Sequence, residues 1–252
     1  MGSISYRPKY KTVYFQALIV EFYERLQVFF IYFTNNKVLF SRNQIMSDKN
    51  MSEKKEIRKY DTALFLEELQ KRVVIPEGEF EEFLALWEFK KFKHNEFILK
   101  AGEIPKFSIF VLKGCLRQYI VNEKGEESIV YFAEERHFIG DLSAIRNKTI
   151  SSYNFQAIEE CELLTISAVN WEQAFVQFPW WTNAHLTGYQ KWAVLLLQQM
   201  AERHTLTGEV RYLNLLKAKP KLFQRVPQHY IASYLGISPE TLSRIRKKIT
   251  NI

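Results

Sequence analysis

Near its C-terminus the chain spaces polar side chains so that a helix would gather them on one face. Glu240, Ser243, Arg244 and Lys247 recur at three and four residues. On such a face arginine can fork onto guanine O6 and N7, glutamate can accept from cytosine N4, and lysine can meet a phosphate. Leu242, Ile245 and Ile249 recur at the same spacing on the opposite face, which suits packing against a neighbouring helix. Ser238 is a natural N-cap, and Pro239 at the first helical position has no N–H to leave unpaired. The residues expected to touch DNA are Gln228, Ser238, Pro239, Glu240, Thr241, Ser243, Arg244, Lys247 and Lys248. The bland alternative is a Glu240–Arg244 pair on a solvated face, worth only about 0.2–0.5 kcal/mol.

A reading face needs a partner helix and a tight turn. Gln228 to Tyr234 supplies the first, with Ile231 and Leu235 for the core and small Ala232 where a second helix crosses closely. Gly236 then supplies the positive φ that ends a helix sharply. Charge supports this reading. Between Glu209 and Ile252 stand nine Lys and Arg against two Glu, so the whole net charge of +7 lies in this tail and the rest is neutral. A basic module on a neutral body suits a polyanion, because phosphate contacts release counterions.

Upstream, Pro179 opens a long helical stretch to about His204. Leu186, Tyr189, Ala193, Leu196 and Met200 recur there at 3-4-3-4 spacing, the seam of a coiled coil, and are expected to form a homodimer contact. A second apolar line, Trp192 and Leu195, is expected to face the neighbouring domain. Before it, short apolar or alternating runs lie between turn signals: Phe97–Leu99, Ile109–Leu112, Leu116–Val121, Ile129–Phe132, Phe155–Ile158 and Leu163–Ile166. Many short strands at this spacing predict an antiparallel β-roll or jelly roll. Asp61 to Trp87 reads as helical, through Leu64, Phe65, Leu69, Phe80, Phe83, Leu84 and Trp87.

Cys115 and Cys161 cannot build a disulfide framework or a four-thiolate cluster, and five scattered histidines show no short ligand spacing. No metal and no cofactor is therefore expected, and free thiols fit a cytoplasmic protein. Val13 to Phe33 is apolar, but Glu21, Glu24 and Arg25 interrupt it, which argues against a stable membrane span. No cleavage site follows it. Residues 1–50 read as an extension that the core fold does not need, with Met46 and Met51 each preceding a plausible soluble start; a membrane-surface helix is the alternative.

The order β-roll, long helix, helix-turn-helix resembles the cyclic-AMP receptor protein/Fnr (Crp/Fnr) family of bacterial regulators. The resemblance runs from about Tyr60 to Ile252. It is carried by Leu112-Lys-Gly-Cys-Leu-Arg117, Phe138-Ile-Gly-Asp-Leu142, Cys161-Glu-Leu-Leu-Thr-Ile-Ser167 and Ile231 to Ile249. It implies an α+β fold: an antiparallel β-roll of the cyclic-nucleotide-binding type, a long dimerisation helix and a C-terminal winged-type helix-turn-helix. The domains expected are 51–178 for the effector-type roll, 179–206 for the dimerisation helix and 207–252 for the DNA-binding part.

By the same resemblance, Phe138, Gly140, Asp141, Leu142, Ser151 and Ser152 would line the effector pocket. Asp141 matches the family's ribose-binding acid, but Ser151 stands where cyclic-nucleotide binders keep the arginine that holds the phosphate. Losing that arginine removes a charge-assisted bond of roughly 1.5–3 kcal/mol, which argues against cyclic AMP. Two cysteines also argue against an Fnr-like cluster. Pro239 replaces an arginine that some members use to read a base, while Glu240 and Arg244 match. The partners implied are double-stranded DNA, a second copy of the chain, an unknown small-molecule effector and, for an activator, RNA polymerase. Two other readings share parts of this pattern. A cupin-type enzyme would need a clustered set of metal ligands, and a nucleotide-sensing module without DNA binding would not need the basic tail.

Overall fold

The computed structural model describes residues 62–250, so the extension expected over residues 1–50 lies outside the described residues. Two short helices lead in: α1 (Ala63–Gln70) and α2 (Glu79–Leu84). Eight strands follow: β1 (Trp87–Phe92), β2 (Phe97–Leu99), β3 (Phe107–Lys113), β4 (Leu116–Val121), β5 (Glu127–Ala133), β6 (Phe138–Ile139), β7 (Asn154–Ala157) and β8 (Cys161–Ser167). Helix α3 (Leu142–Asn147) sits between β6 and β7. The strands form two four-stranded antiparallel sheets, ordered β1-β8-β3-β6 and β2-β7-β4-β5, the β-roll expected.

Strand alternation gives each sheet two jobs. Leu99, Ile109, Val111, Leu116, Phe155 and Leu163 turn inward and fill the roll as one apolar cluster. On the first sheet, Trp87, Phe110 and Phe138 meet Phe65 of α1 at ring-centroid distances of 4.9, 4.7 and 5.9 Å. Phe83 of α2 meets Trp181 at 4.9 Å in the same aromatic layer. Such pairs contribute about 0.5–1.5 kcal/mol each beyond the area they bury. The helical reading had run to Trp87, but Trp87 opens β1 and pairs with Ile166 of β8. Tertiary pairing there outweighs the local 3-4 spacing.

Two helices leave the roll: α4 (Ala168–Gln177), capped by the Ser167 hydroxyl, and the 27-residue α5 (Pro179–Thr205), which has Pro179 at its first position. Trp180, Trp181 and Ala184 bury the start of α5. His185 follows in the aromatic layer, its imidazole held down at about 4 by burial and then by the Arg72 charge. Further along, Trp192, Leu195 and Met200 are exposed by 42%, 52% and 51%. The Trp192–Leu195 line therefore does not face the roll as expected: the roll's helix-covered face meets only the first turns of α5. Of the expected seam, Ala193 is buried within the chain, Leu186, Tyr189 and Leu196 are half-buried and Met200 is exposed.

The tail folds as α6 (Gly208–Ala218), α7 (Leu222–Arg225), α8 (Gln228–Leu235) and α9 (Pro239–Thr250). Among the described residues no strand follows Ser167, so no β-wing stands beside the helix-turn-helix there. These helices pack on the outer face of the second sheet. Cys115, Tyr119, Ile129 and Phe132 share one core with Tyr212, Leu222, Ile231 and Leu235. Burial pushes the Cys115 thiol well above its ordinary range, as expected of a packed rather than reactive sulfur.

Candidate nucleic-acid interface and effector cassette

The helix-turn-helix forms where its local chemistry predicts. Gly236 ends α8 at φ 64°, and the N–H of Ile237 donates to the Ala232 carbonyl at 3.0 Å, closing the turn. The Ser238 hydroxyl then accepts the N–H of Thr241 at 3.2 Å, the N-cap bond expected of it. Ile231, Ala232, Leu235, Leu242 and Ile245 are buried between the two helices and the roll. Pro239, Glu240, Ser243, Arg244, Lys247 and Lys248 are all exposed, with Thr241 half-buried beside them and Gln228 exposed at the start of α8. The structure thus gathers the predicted contact residues of α9 on one open surface.

Their electrostatics differ from residue to residue. The Arg244 guanidinium donates to the Thr241 hydroxyl at 3.2 Å, which aims it along the helix surface. Glu240 is held below the usual carboxylate range by its own backbone N–H first, then by the Ser238 hydroxyl, with the Arg244 charge a lesser cause. Lys248 does not simply face solvent: its ammonium donates to both carboxylate oxygens of Glu209 at 2.8 and 3.0 Å. That pair is not legible from spacing, because the partners are 39 residues apart.

The predicted effector residues divide between two places. Asp141 caps α3, one oxygen accepting the Ala144 N–H at 3.1 Å and the other accepting the Ser151 hydroxyl at 2.7 Å. The Ser151 oxygen in turn accepts the Tyr153 N–H at 3.0 Å, and the residue is only 2% exposed. Asp141 and Ser151 are thus joined directly, with Gly140 and Leu142 flanking Asp141 in the chain and the exposed Ser152 following Ser151; we call this group the cassette. Gly140 lies so near Ser108 that a Cβ would stand 3.0 Å from the Ser108 hydroxyl. Phe138 does not join it: its ring meets Phe110 at 4.8 Å, tilted by 59°, in the aromatic layer, under the Arg72 guanidinium at 4.6 Å. Its neighbour Ile139 turns into the roll instead, since alternate strand residues take opposite faces.

Further side chains join the helix-turn-helix to the roll. The Ser233 hydroxyl accepts the Ile129 N–H at 3.0 Å and donates to the Glu127 carbonyl at 3.1 Å. Arg225 donates to Glu135 at 2.8 and 2.7 Å and also to Glu159, and Lys219 donates to Glu134 at 2.7 Å. Arg117, buried in β4, donates to Gln156 and Glu127 and lies between the Tyr119 and Tyr230 rings at 4.1 and 4.0 Å. Among the described residues no group of three or more His, Cys, Asp or Glu side chains is placed to hold a metal, and no helix is long and apolar enough to cross a membrane.

Comparison with known proteins places this architecture. Residues 89–178 match the cyclic nucleotide-binding domain family. Among solved structures, the c-di-GMP responsive global regulator CLP of Xanthomonas campestris aligns at 19% identity with a TM-score of 0.57, over 70% of this chain and 92% of that one. A putative cyclic nucleotide binding protein of Ruegeria pomeroyi aligns at 20% identity with a TM-score of 0.52, over 70% and 81%. FixK2 of Bradyrhizobium japonicum aligns at 15% identity with a TM-score of 0.54, over 66% and 85%. No curated protein sequence matches the chain. Residues 89–178 are thus similar to the cyclic nucleotide-binding domain, and the chain shares its fold with these solved structures.

Proposed function

We propose that this protein is a sequence-specific DNA-binding transcription regulator of the Crp/Fnr type, acting as a homodimer and answering to a ligand other than cyclic AMP. The observation that carries it is α9. It buries Leu242 and Ile245 while Glu240, Ser243, Arg244 and Lys247 stand exposed on the opposite side of a capped helix. That division is what a helix entering the major groove requires. Arg244 is the residue assigned to a guanine edge, Glu240 to a cytosine amine, and Lys247 to phosphate. Pairing through α5 would supply the two-fold needed for two half-sites, and RNA polymerase would be a further partner if the protein activates.

The effector reading rests on the cassette. Both oxygens of Asp141 are already engaged, by Ala144 and Ser151, and the residue at 151 offers a neutral hydroxyl where a cyclic phosphate needs a cation. The DNA reading is tested by selecting binders from a random duplex pool with the full chain and measuring their affinity across a salt series. Enrichment of a two-fold symmetric site, with affinity falling steeply as salt rises, is the expected outcome. Failure to enrich any sequence would overturn it.

A further inference from the structure

The first turn of α6 touches each part of the helix-turn-helix that sets its direction. A Cβ at Gly208 would stand 2.8 Å from the side chain of Ile237, so glycine is what lets α6 start this close to the turn between α8 and α9. Glu209 takes the Lys248 ammonium of α9. Arg211 spans furthest. Its Nη1 donates to the carbonyls of Leu206 at 2.7 Å and Arg203 at 3.3 Å, while its Nε and Nη2 donate to the Leu235 carbonyl at 3.2 and 2.9 Å. Leu206 and Arg203 close α5, and Leu235 closes α8. Carbonyls of a last helical turn have no N–H of their own helix to accept and carry the negative end of the helix dipole. One guanidinium therefore serves two helix ends. Arg203 and Gln199 of α5 add bonds to the carbonyl and hydroxyl of Tyr234 at 3.0 and 2.8 Å.

We propose that Arg211 is a positioning residue that fixes the angle between α5 and the recognition helix α9, and with it the half-site spacing that a pair of these chains accepts. This rests on the DNA-reading dimer proposed above. The guanidinium is a planar fork whose N–H groups point in set directions, so it can tie two helix ends at a defined angle. Lysine keeps the charge but is a point donor on a flexible stem and cannot span both ends. Arg211 spends its donors inward, on backbone carbonyls, so Arg211→Lys leaves the charge near DNA unchanged while removing the fork.

The test uses the full chain and an operator selected by the wild type, in duplexes with no, one or two base pairs added between half-sites. Each added pair turns one half-site by about a tenth of a helical turn. The wild type is expected to lose about tenfold or more in affinity across this series, and Arg211→Lys less than about threefold from a weaker start. A spacing profile for Arg211→Lys that runs parallel to the wild type overturns the proposal. A second arm needs no DNA. Amide hydrogen exchange of the free protein is expected to quicken at residues 203–207 and 235–238 together in Arg211→Lys, with the strands of the roll unchanged. Unchanged exchange at those two helix ends, or quickened exchange throughout the roll, also overturns it. A wild type that selects no operator, or ignores spacing, would refute the DNA-reading dimer instead, and the exchange arm would still decide whether Arg211 holds the joint.

Discussion

Arg244 and Lys248 lie one helical turn apart on α9, yet the structure holds them differently. Arg244 leans on a neighbouring hydroxyl and remains available to a base, whereas Lys248 is ion-paired to Glu209. An exposed pair of this kind is weak, typically about 0–1 kcal/mol, so a DNA phosphate can compete with it. Glu209→Gln removes the competitor. It is expected to tighten binding to operator and scrambled duplexes alike and to steepen the salt dependence by about one ion per subunit. Gel shifts across a salt series measure both, and an unchanged slope and affinity would count against Lys248 as a phosphate contact. At the cassette, the Asp141–Ser151 bond predicts that titration calorimetry detects no cyclic-AMP binding tighter than about millimolar. A micromolar dissociation constant would show that another cation reaches the phosphate.

Elements whose signals are local were legible in the sequence, and those made by distant partners were not. β4 runs over Leu116–Val121 as expected, and α5 ends at Thr205 against an expected His204, because alternation, a first-turn proline and 3-4 spacing act within the segment. The two-residue β6 was invisible, since only its pairing with Ile109 and Phe110 of β3 makes it a strand. Helix α6 escaped although its signals are local: the Thr207 hydroxyl accepts the Val210 N–H at 3.4 Å, and Tyr212, Leu215 and Leu216 follow at helical spacing. For α5, the helical period was legible but the facing of its second apolar line was not. The exposed Trp192, Leu195 and Met200 form an apolar surface along α5, the one a second copy would cover in the proposed dimer. Replacing Leu196 and Met200 by Glu is expected to give monomers with weakened operator binding, read by light scattering and gel shift. A wild type already monomeric at micromolar concentration would refute the paired helix.

Across the whole molecule, charge located in the tail is not all charge offered to DNA. Of the nine tail cations, Lys219 and Arg225 are tied to Glu134, Glu135 and Glu159 of the roll, Arg211 to backbone carbonyls, and Lys248 to Glu209. The ties to the roll make the helices of the tail one body with the second sheet, whose outer face supplies part of their core. Sequence composition located the basic module, and only the fold shows which of its cations hold it in place. On α9, Arg244 and Lys247 stand exposed outside these ties, and the central claim is that this helix reads bases. The most direct test is the affinity of Arg244→Ala for a selected operator and for a scrambled duplex, each at two salt concentrations. The account predicts a loss of about 1–3 kcal/mol on the operator, a much smaller loss on the scrambled duplex, and relaxed preference at one base pair per half-site. Equal losses on both duplexes would mean that Arg244 only holds phosphate, and would contradict the assignment of α9 as the reading helix.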